Sequence, residues 1–402
     1  MRILMVAPGT QGDVAPMAGL GCRLQDEGYE VSIAANPAYA AVVVGAGCEF
    51  RPLPGNLAEL IKHPAPGAKA SSGSLVTFWR KLGEYMEGAA KGTLAAAEAG
   101  ADVIMANSVS PYAYDVGEAL GIPVLGAHLQ PTEPSSAYPP VLMNLARSLG
   151  PAGNKIFGER AAAGPAPYDA PSARIRKTLG LGTLGRAAAE RQRRNAHATT
   201  LFGISPTVLP RPSDWHPGLT MAGYWWPHED PDWTPSDSLV DFLSDGPPPV
   251  FVGFGSSADI DPGFILQATR RAGVRAVVQG ADAVLGDDAM GVGSVPHQWL
   301  FPQMAAVVHH AGSGTTAAGL RAGVPAVGVP VYTDQPLWAS RIAALGAGPR
   351  PVPYKKLSPQ RLGDAIAKAG RSASYAHHAR RVAAALAAED GTAAVLRALR
   401  NI

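Results

Sequence analysis

Three small groups of residues have the types and spacing to do chemistry. The first is the run His309-His310-Ala311-Gly312-Ser313-Gly314-Thr315-Thr316, which follows the apolar pair Val307-Val308. Glycines at a strand-to-helix turn let the backbone approach an anion, and the leading N–H groups of the helix then point at it. Gly312 and Gly314 remove side chains that would block the approach, while Ser313, Thr315, Thr316 and His310 add side-chain donors. His309 is expected on the opposite face, because successive strand residues alternate. The second group is Asp334-Gln335, about twenty residues on. A neighbouring carboxylate and amide suit several vicinal hydroxyls at once, because one accepts and the other both donates and accepts. The third is Asp13 in "GTQGDVAP", between an apolar run and a helical segment. A carboxylate there can take a proton from a reacting hydroxyl, or cap the helix, or both.

A dinucleotide site is the sharpest rival for the first two groups. Gly312-x-Gly314-x-x-Ala317 matches that fingerprint formally, and Asp334 lies about where a ribose-binding acid belongs. Yet the fingerprint opens the first βα turn of a domain, and several strands precede this one. Asp334 also sits in the polar loop "YTDQP", closed by Pro336, which fits a sugar ring better than one ribose hydroxyl.

These groups need rigid elements to hold them. "RILMVAP", "EVSIAAN", "ADVIMANS", "IPVLGAHL" and "TLFGIS" read as strands alternating with helices in the first half. "PPVFVGFGSS", "RAVVQG", "VGSVP", "AAVVHH" and "PAVGVPV" do so in the second. The pattern predicts an α/β chain with two Rossmann-like parallel-sheet domains facing a cleft. Between them, 206–236 carries seven prolines and four tryptophans and reads as a connection held by aromatic packing. The expected division is 1–210 as the first domain, 211–236 as linker and 237–380 as the second domain. A C-terminal helix, 381–402, is expected to pack back on the first. Segments 54–75 and 150–172 are Gly/Ala/Pro-rich and are expected to be irregular binding loops.

Composition narrows the partners. At 402 residues with 47% hydrophobic and 16% charged content, the chain is a globular protein, and its net charge of +2 argues against nucleic acid. Two cysteines, Cys22 and Cys48, imply no disulfide framework and fit a reducing cytoplasm. No run approaches the ~20 apolar residues of a membrane span, and the amino terminus does not read as a signal peptide.

The segment "HHAGSGTTAAGLRAGVPAVGVPVYTDQP" resembles the donor-binding signature of nucleotide-sugar glycosyltransferases of the GT-B fold. It is most similar to the family 1 branch containing the vancomycin-group antibiotic glycosyltransferases and the sterol glucosyltransferases. "GTQGDVAP", "PRPSDWHPGLTMAGYWW" and "VPHQWLFPQMAAVVHH" resemble that branch's amino-terminal motif, linker and base-flanking segment. The resemblance implies roles by position. Ser256, His310, Gly312, Ser313, Gly314 and Thr315 would hold the donor diphosphate. Asp334 and Gln335 would hold the donor sugar, and Val295 and His297 the nucleotide base. Asp13 would be the catalytic base. The implied reaction is inverting transfer of a sugar from a UDP- or TDP-sugar to a hydroxyl of an apolar small molecule, as in antibiotic biosynthesis. Sterol or lipid glucosylation and nucleotide-sugar epimerisation are the alternatives on this fold. No cofactor is implied beyond the nucleotide sugar as co-substrate, and the assembly is expected to be a monomer or weak homodimer.

Two positions depart from the branch: Gln11 stands where a basic residue is frequent, and Ala15 where a polar one is. Both lie on the acceptor side. Gln11, Trp79, Tyr112 and His128 are the acceptor-binding candidates, with Phe78 and Tyr138 nearby in sequence. Trp299 and Trp338 are expected either in the core or near base and sugar. No acidic metal cluster of D-x-D type is recognised, so leaving-group charge is expected to be met by the protein without Mg²⁺.

Overall fold

A computed structural model describes residues 1–55, 72–145, 147–255, 260–280 and 284–402, with backbone alone for 72–79, Leu142 and Val284. The first sheet has seven strands: β1 (Arg2–Ala7), β2 (Glu30–Ala35), β3 (Glu49–Pro52), β4 (Val103–Ala106), β5 (Val124–His128), β6 (Thr200–Phe202) and β7 (Leu219–Met221). All pairs are parallel, in the order β3-β2-β1-β4-β5-β6-β7. The second sheet has six: β8 (Val250–Gly253), β9 (Ala276–Gln279), β10 (Val284–Gly286), β11 (Ala289–Val292), β12 (Ala306–His309) and β13 (Ala326–Gly328). Its order is β10-β11-β9-β8-β12-β13, parallel except for the β10–β11 hairpin.

Strand β1 shows why the sequence folds this way. Ile3, Met5 and Ala7 enter one core with Val14, Met17 and Leu20 of the helix Gln11–Asp26. Leu4 and Val6 enter another, with Leu82, Met86 and Ala89 of the helix Ser72–Glu98. Period-two alternation thus feeds two helix layers, so both faces of the strand are apolar. Each such side chain contributes about 1.5–3 kcal/mol on burial.

Each sheet reverses its direction of growth once, between β1 and β4 in the first and between β8 and β12 in the second. Ligands bind beyond the strand ends at such switch points. The turn Pro8–Asp13 lies at the first and the turn Ala311–Thr315 at the second. The helices Gln11–Asp26 and Ser313–Arg321 that follow these turns meet each other. The two halves also share a core, in which Phe202, Trp215 and Leu219 of one belong with Phe251, Phe301 and Trp338 of the other.

Several expected elements change. The segment 211–236 is not only a connection, since β7 within it completes the first sheet beside β6. Proline density hid a three-residue strand. The expected strand "VGSVP" is displaced to Ala289–Val292, and β10 was not anticipated. Most of 150–172 is helical, as Gly150–Ala163 and the start of Asp169–Thr178. Pro151 is tolerated because it falls in the first turn. Buried Asn154 anchors that helix through bonds to Ser136 O, at 3.1 Å, and Ser148 Oγ, at 2.9 Å. Residues 56–71 of the other expected loop lie outside the described residues, and from Ser72 the chain is helical. The carboxy-terminal tail is two helices, Ala373–Ala387 and Ala393–Leu399. The first packs on the second half, and Ala394, Val395 and Leu399 of the last join the core under β1.

Candidate active site

Asp13 is the third residue of its helix and is buried. Its Oδ2 accepts the Thr10 N–H at 2.9 Å, and its Oδ1 accepts Asn107 Nδ2 at 3.4 Å. A Cβ on Gly9 would overlap the carboxylate, so only glycine leaves room for it. Burial pushes the Asp13 carboxyl above the usual carboxylate range, the Thr10 and Asn107 bonds pull it down, and the Asp334 charge pushes it up again. Asp13 and Asp334 come from opposite halves of the chain, so the fold brings the two carboxylates of separate motifs into one electrostatic environment. The cap and the base readings of Asp13 are compatible, since capping fixes the carboxylate without consuming both oxygens.

In the second half, His309 is fully buried, its Nδ1 accepting the Ala311 N–H at 3.0 Å, while His310 is only half-buried. Their rings stand at 88°. Burial, reinforced by His297, lowers His310 to about 4, so it is a neutral imidazole at physiological pH. Gly312 is the cap of the helix Ser313–Arg321, and no side chain caps it. The leading N–H groups therefore keep their affinity for an external anion. A Cβ on Gly312 would strike the His310 ring, whereas one on exposed Gly314 would meet no protein atom within 4 Å. Gly314 thus borders open space, and Ser313 and Thr315 flank it half-buried. Ala311 adopts a left-handed φ of 62°, an uncommon conformation for a residue with a Cβ, right at this turn.

Thr333, at φ 51°, turns the chain into Asp334 in the same way. The Asp334 carboxylate accepts Trp338 Nε1 at 2.7 Å and Thr333 Oγ1 at 3.0 Å. Gln335 Oε1 accepts the N–H groups of Val331 at 2.8 Å and Tyr332 at 3.1 Å. Gln335 therefore orients the loop through its carbonyl. Burial raises Asp334. Trp338 is fully buried in the core and fixes the Asp334 carboxylate.

Other expected residues fare differently. His297 stacks on Phe301 at 4.3 Å and 14°, and burial lowers it to about 4. Val295 is half-buried beside it. Gln11 is exposed at the helix start. Tyr112 is a correction as an acceptor contact, because it is fully buried among Leu4, Ile104 and Val116 and has no surface to offer a ligand. His128 packs edge-on to Phe202 at 5.5 Å, and burial lowers it to about 3. Tyr138 is likewise buried, edge-on to Trp215. Trp79 and Phe78 lie on the helix Ser72–Glu98, their side chains outside the described residues, as is all of Ser256. The spacing Asp-x-Asp does occur, at Asp230–Asp232 and Asp259–Asp261. Asp230 and Asp261 accept local backbone N–H groups, and Asp259 lies outside the described residues.

The sequence reading missed a group of side chains around Asp13. Tyr85 donates to Pro8 O, and burial together with Asp13 and Tyr39 raises its phenol. Burial raises the Tyr39 phenol too, and the Asp13 charge raises it further. Tyr168 is pushed up to about 12 by burial and then by Asp13. Tyrosines from three separate elements each feel the Asp13 charge, and Asn107 bonds the carboxylate directly. Only Asn107 carried a local signal, as a polar residue ending the apolar strand "VIMA".

Two parallel α/β halves, an anion-receptive helix start on one and a buried acid on the other define a GT-B glycosyltransferase. Residues 3–139 match the glycosyltransferase family 28 N-terminal domain, and residues 259–402 match the erythromycin biosynthesis protein CIII-like C-terminal domain. The chain is 33% identical to the O-mycaminosyltylonolide 6-deoxyallosyltransferase of Streptomyces fradiae, over 97% of this chain and 95% of the relative. It is 32% identical to a sterol 3-beta-glucosyltransferase of Arabidopsis thaliana, over 91% of this chain and 60% of the relative. The chain belongs to this glycosyltransferase family. Solved structures share the fold. The spinosyn rhamnosyltransferase SpnG has a TM-score of 0.67 at 22% identity, covering 100% of both chains. A Streptomyces sp. SF2575 glycosyltransferase complexed with thymidine diphosphate has a TM-score of 0.63 at 23% identity, again over 100% of both. Among the described residues no helix is long and apolar enough to cross a membrane.

Proposed function

We propose that this glycosyltransferase moves a sugar from a UDP- or TDP-sugar to a hydroxyl of an apolar small molecule, with inversion and without a metal ion. The observation that carries this reading is the contact of the helix Gln11–Asp26, whose third residue is the buried Asp13, with the helix Ser313–Arg321, whose start no side chain caps. The acceptor hydroxyl gives its proton to Asp13 as its oxygen bonds to the anomeric carbon. The bond from that carbon to the diphosphate oxygen breaks on the opposite side. The departing charge falls on the N–H groups of Ser313, Gly314 and Thr315, with neutral His310 as a further donor. Asp334 and Gln335 hold the sugar hydroxyls, and Trp338 fixes Asp334. A single displacement of this kind inverts the anomeric centre.

The relative from Streptomyces fradiae, matched over nearly its whole length, supports an antibiotic-type acceptor. The sterol glucosyltransferase likeness keeps an apolar alcohol of another kind as the second reading. Thermal shift with UDP, TDP, GDP and NAD tests the donor side, since a ligand of the folded state raises Tm by mass action. A shift with UDP or TDP is expected. A shift with NAD alone refutes the reading. Proton NMR of the first product tests inversion, and turnover in EDTA tests metal independence.

A further inference from the structure

We propose that Asn107 is the positioning residue for the Asp13 base, fixing the plane of its carboxylate and stabilising its charged form through Nδ2. The inference rests on the reading of Asp13 as the base. Strand β4 lies beside β1, with Ala106 opposite Val6, so the residue after β4 is delivered to the turn that carries Asp13. The Asn107 N–H bonds Val6 O at 3.2 Å, and its C=O accepts Ser110 N–H at 3.0 Å and Ser110 Oγ at 2.9 Å. The backbone is therefore pinned on both sides.

The side chain has one orientation. Its Oδ1 accepts the Val109 N–H at 3.2 Å, and Ser108 Oγ also donates to it at 3.2 Å. A backbone N–H can only donate, so the carbonyl end of the amide must face Val109. That leaves Nδ2 to donate to Asp13 Oδ1 at 3.4 Å. Asp13 thus receives donors on both oxygens, the Thr10 N–H and hydroxyl of its own helix start on Oδ2 and Asn107 of the neighbouring strand end on Oδ1. Asn107 is 1% exposed, so it has no surface for a ligand and acts through Asp13. Among the described residues, the other titratable groups that interact with Asp13 oppose its charge or are neutral: Asp334 of the second half, and the phenols of Tyr39, Tyr85 and Tyr168. Among the described residues, Asn107 and Thr10 are the two whose hydrogen bonds favour the anion. Donors to a carboxylate keep it ionised against burial.

Asn107→Asp keeps an oxygen for Val109 and Ser108 but replaces the donor facing Asp13 by a second carboxylate oxygen. The acidic limb of its kcat/KM profile should move up by a pH unit or more, a tenfold loss below the limb, with donor KM unchanged. Asn107→Ala should move the limb the same way by less and also lower Tm, because it empties the turn. A limb unmoved in Asn107→Asp, or a rate loss equal at every pH, overturns the proposal. Should both variants misfold, the wild-type protein decides. The ¹⁵N shift of Asn107 Nδ2 should follow the ¹³C titration of the Asp13 carboxyl with the same midpoint, and a flat Nδ2 response overturns the coupling. Asp13→Asn separates the two readings. Full turnover in that variant removes the base assignment, while the shared NMR midpoint stands or falls independently of it.

Discussion

At the scale of single residues, the site sets stability against activity. Burial raises the Asp13 carboxyl, so the folded state prefers it protonated. A raised acid contributes stability below its unfolded value, and that contribution is lost as pH rises through its folded value. At neutral pH the ionised, buried Asp13 therefore costs stability. Asp13→Asn should raise Tm at pH 7 to 8, with the gain shrinking as pH falls toward the ordinary carboxylate range. The same variant should lose about 10²–10⁴-fold in kcat, the usual contribution of a positioned base. Calorimetry across pH, with turnover on the same samples, checks both halves. Asp334 contributes to the raised value through its charge, so Asp334→Asn should shift the acidic limb of kcat/KM downward. Trp338→Phe tests the proposed sugar-side role of Asp334. It keeps most of a fully buried ring but removes the 2.7 Å bond to the carboxylate. A hydrogen bond to a charged group is worth about 1.5–3 kcal/mol, so donor KM should rise at least about tenfold. Steady-state kinetics with varied donor would show an unchanged KM if Trp338 were only packing.

At the scale of elements, the two turns are the proposed functional units, and their glycines are not equivalent. Gly314→Ala introduces a methyl that meets no protein atom, on a helix where alanine is favoured over glycine by about 1 kcal/mol. Tm should hold or rise while the thermal shift with nucleoside diphosphate falls away, because the methyl projects where the anion would lie. Gly312→Ala strikes His310 and should lower both. These turns were legible in the sequence because an apolar run, glycines and a helical pattern follow one another within a dozen residues. The helix Gly150–Ala163 was not legible, because its Ile156 and Phe157 are exposed and leave no apolar stripe to read. Strand β7 was hidden by the prolines on either side of it, which interrupt any period. The collar of Tyr39, Tyr85, Tyr168 and Asn107 around Asp13 was invisible for another reason. Its members arise from four elements, which the sheet order β2-β1-β4 and the packing of the helices Ser72–Glu98 and Asp169–Thr178 on each other bring together.

At the scale of the whole molecule, the chain ends by crossing back. Glu389 Oε1 accepts Ser205 Oγ at 2.8 Å and Thr207 Oγ1 at 2.7 Å, where the chain leaves β6. Trp225 Nε1 donates to Gly391 O at 3.0 Å. Gly223 and Gly391 lie so close that a Cβ on either would meet the other's backbone. A cavity of about 410 Å³ lies beside this strap, lined in part by Leu20, Tyr224, Trp226 and Asp390. Beyond the strap, Val395 and Leu399 are buried with Val14, Met17 and Leu24 of the helix that carries Asp13. The last helix is thus part of the first half's core, although the chain reaches it only after building the second half. Leu399→Ala should cost about 2–5 kcal/mol, as for other fully packed leucines. A fragment ending near residue 236 should be unstable alone, because it lacks that apolar cover over the helix Gln11–Asp26. Supplying residues 388–402 as a separate peptide should restore a cooperative melting transition. A fragment that melts cooperatively without the peptide would show that the crossover serves only to hold the halves together. A transition that appears only with the peptide would show that the final helix completes the layer from which the base is presented.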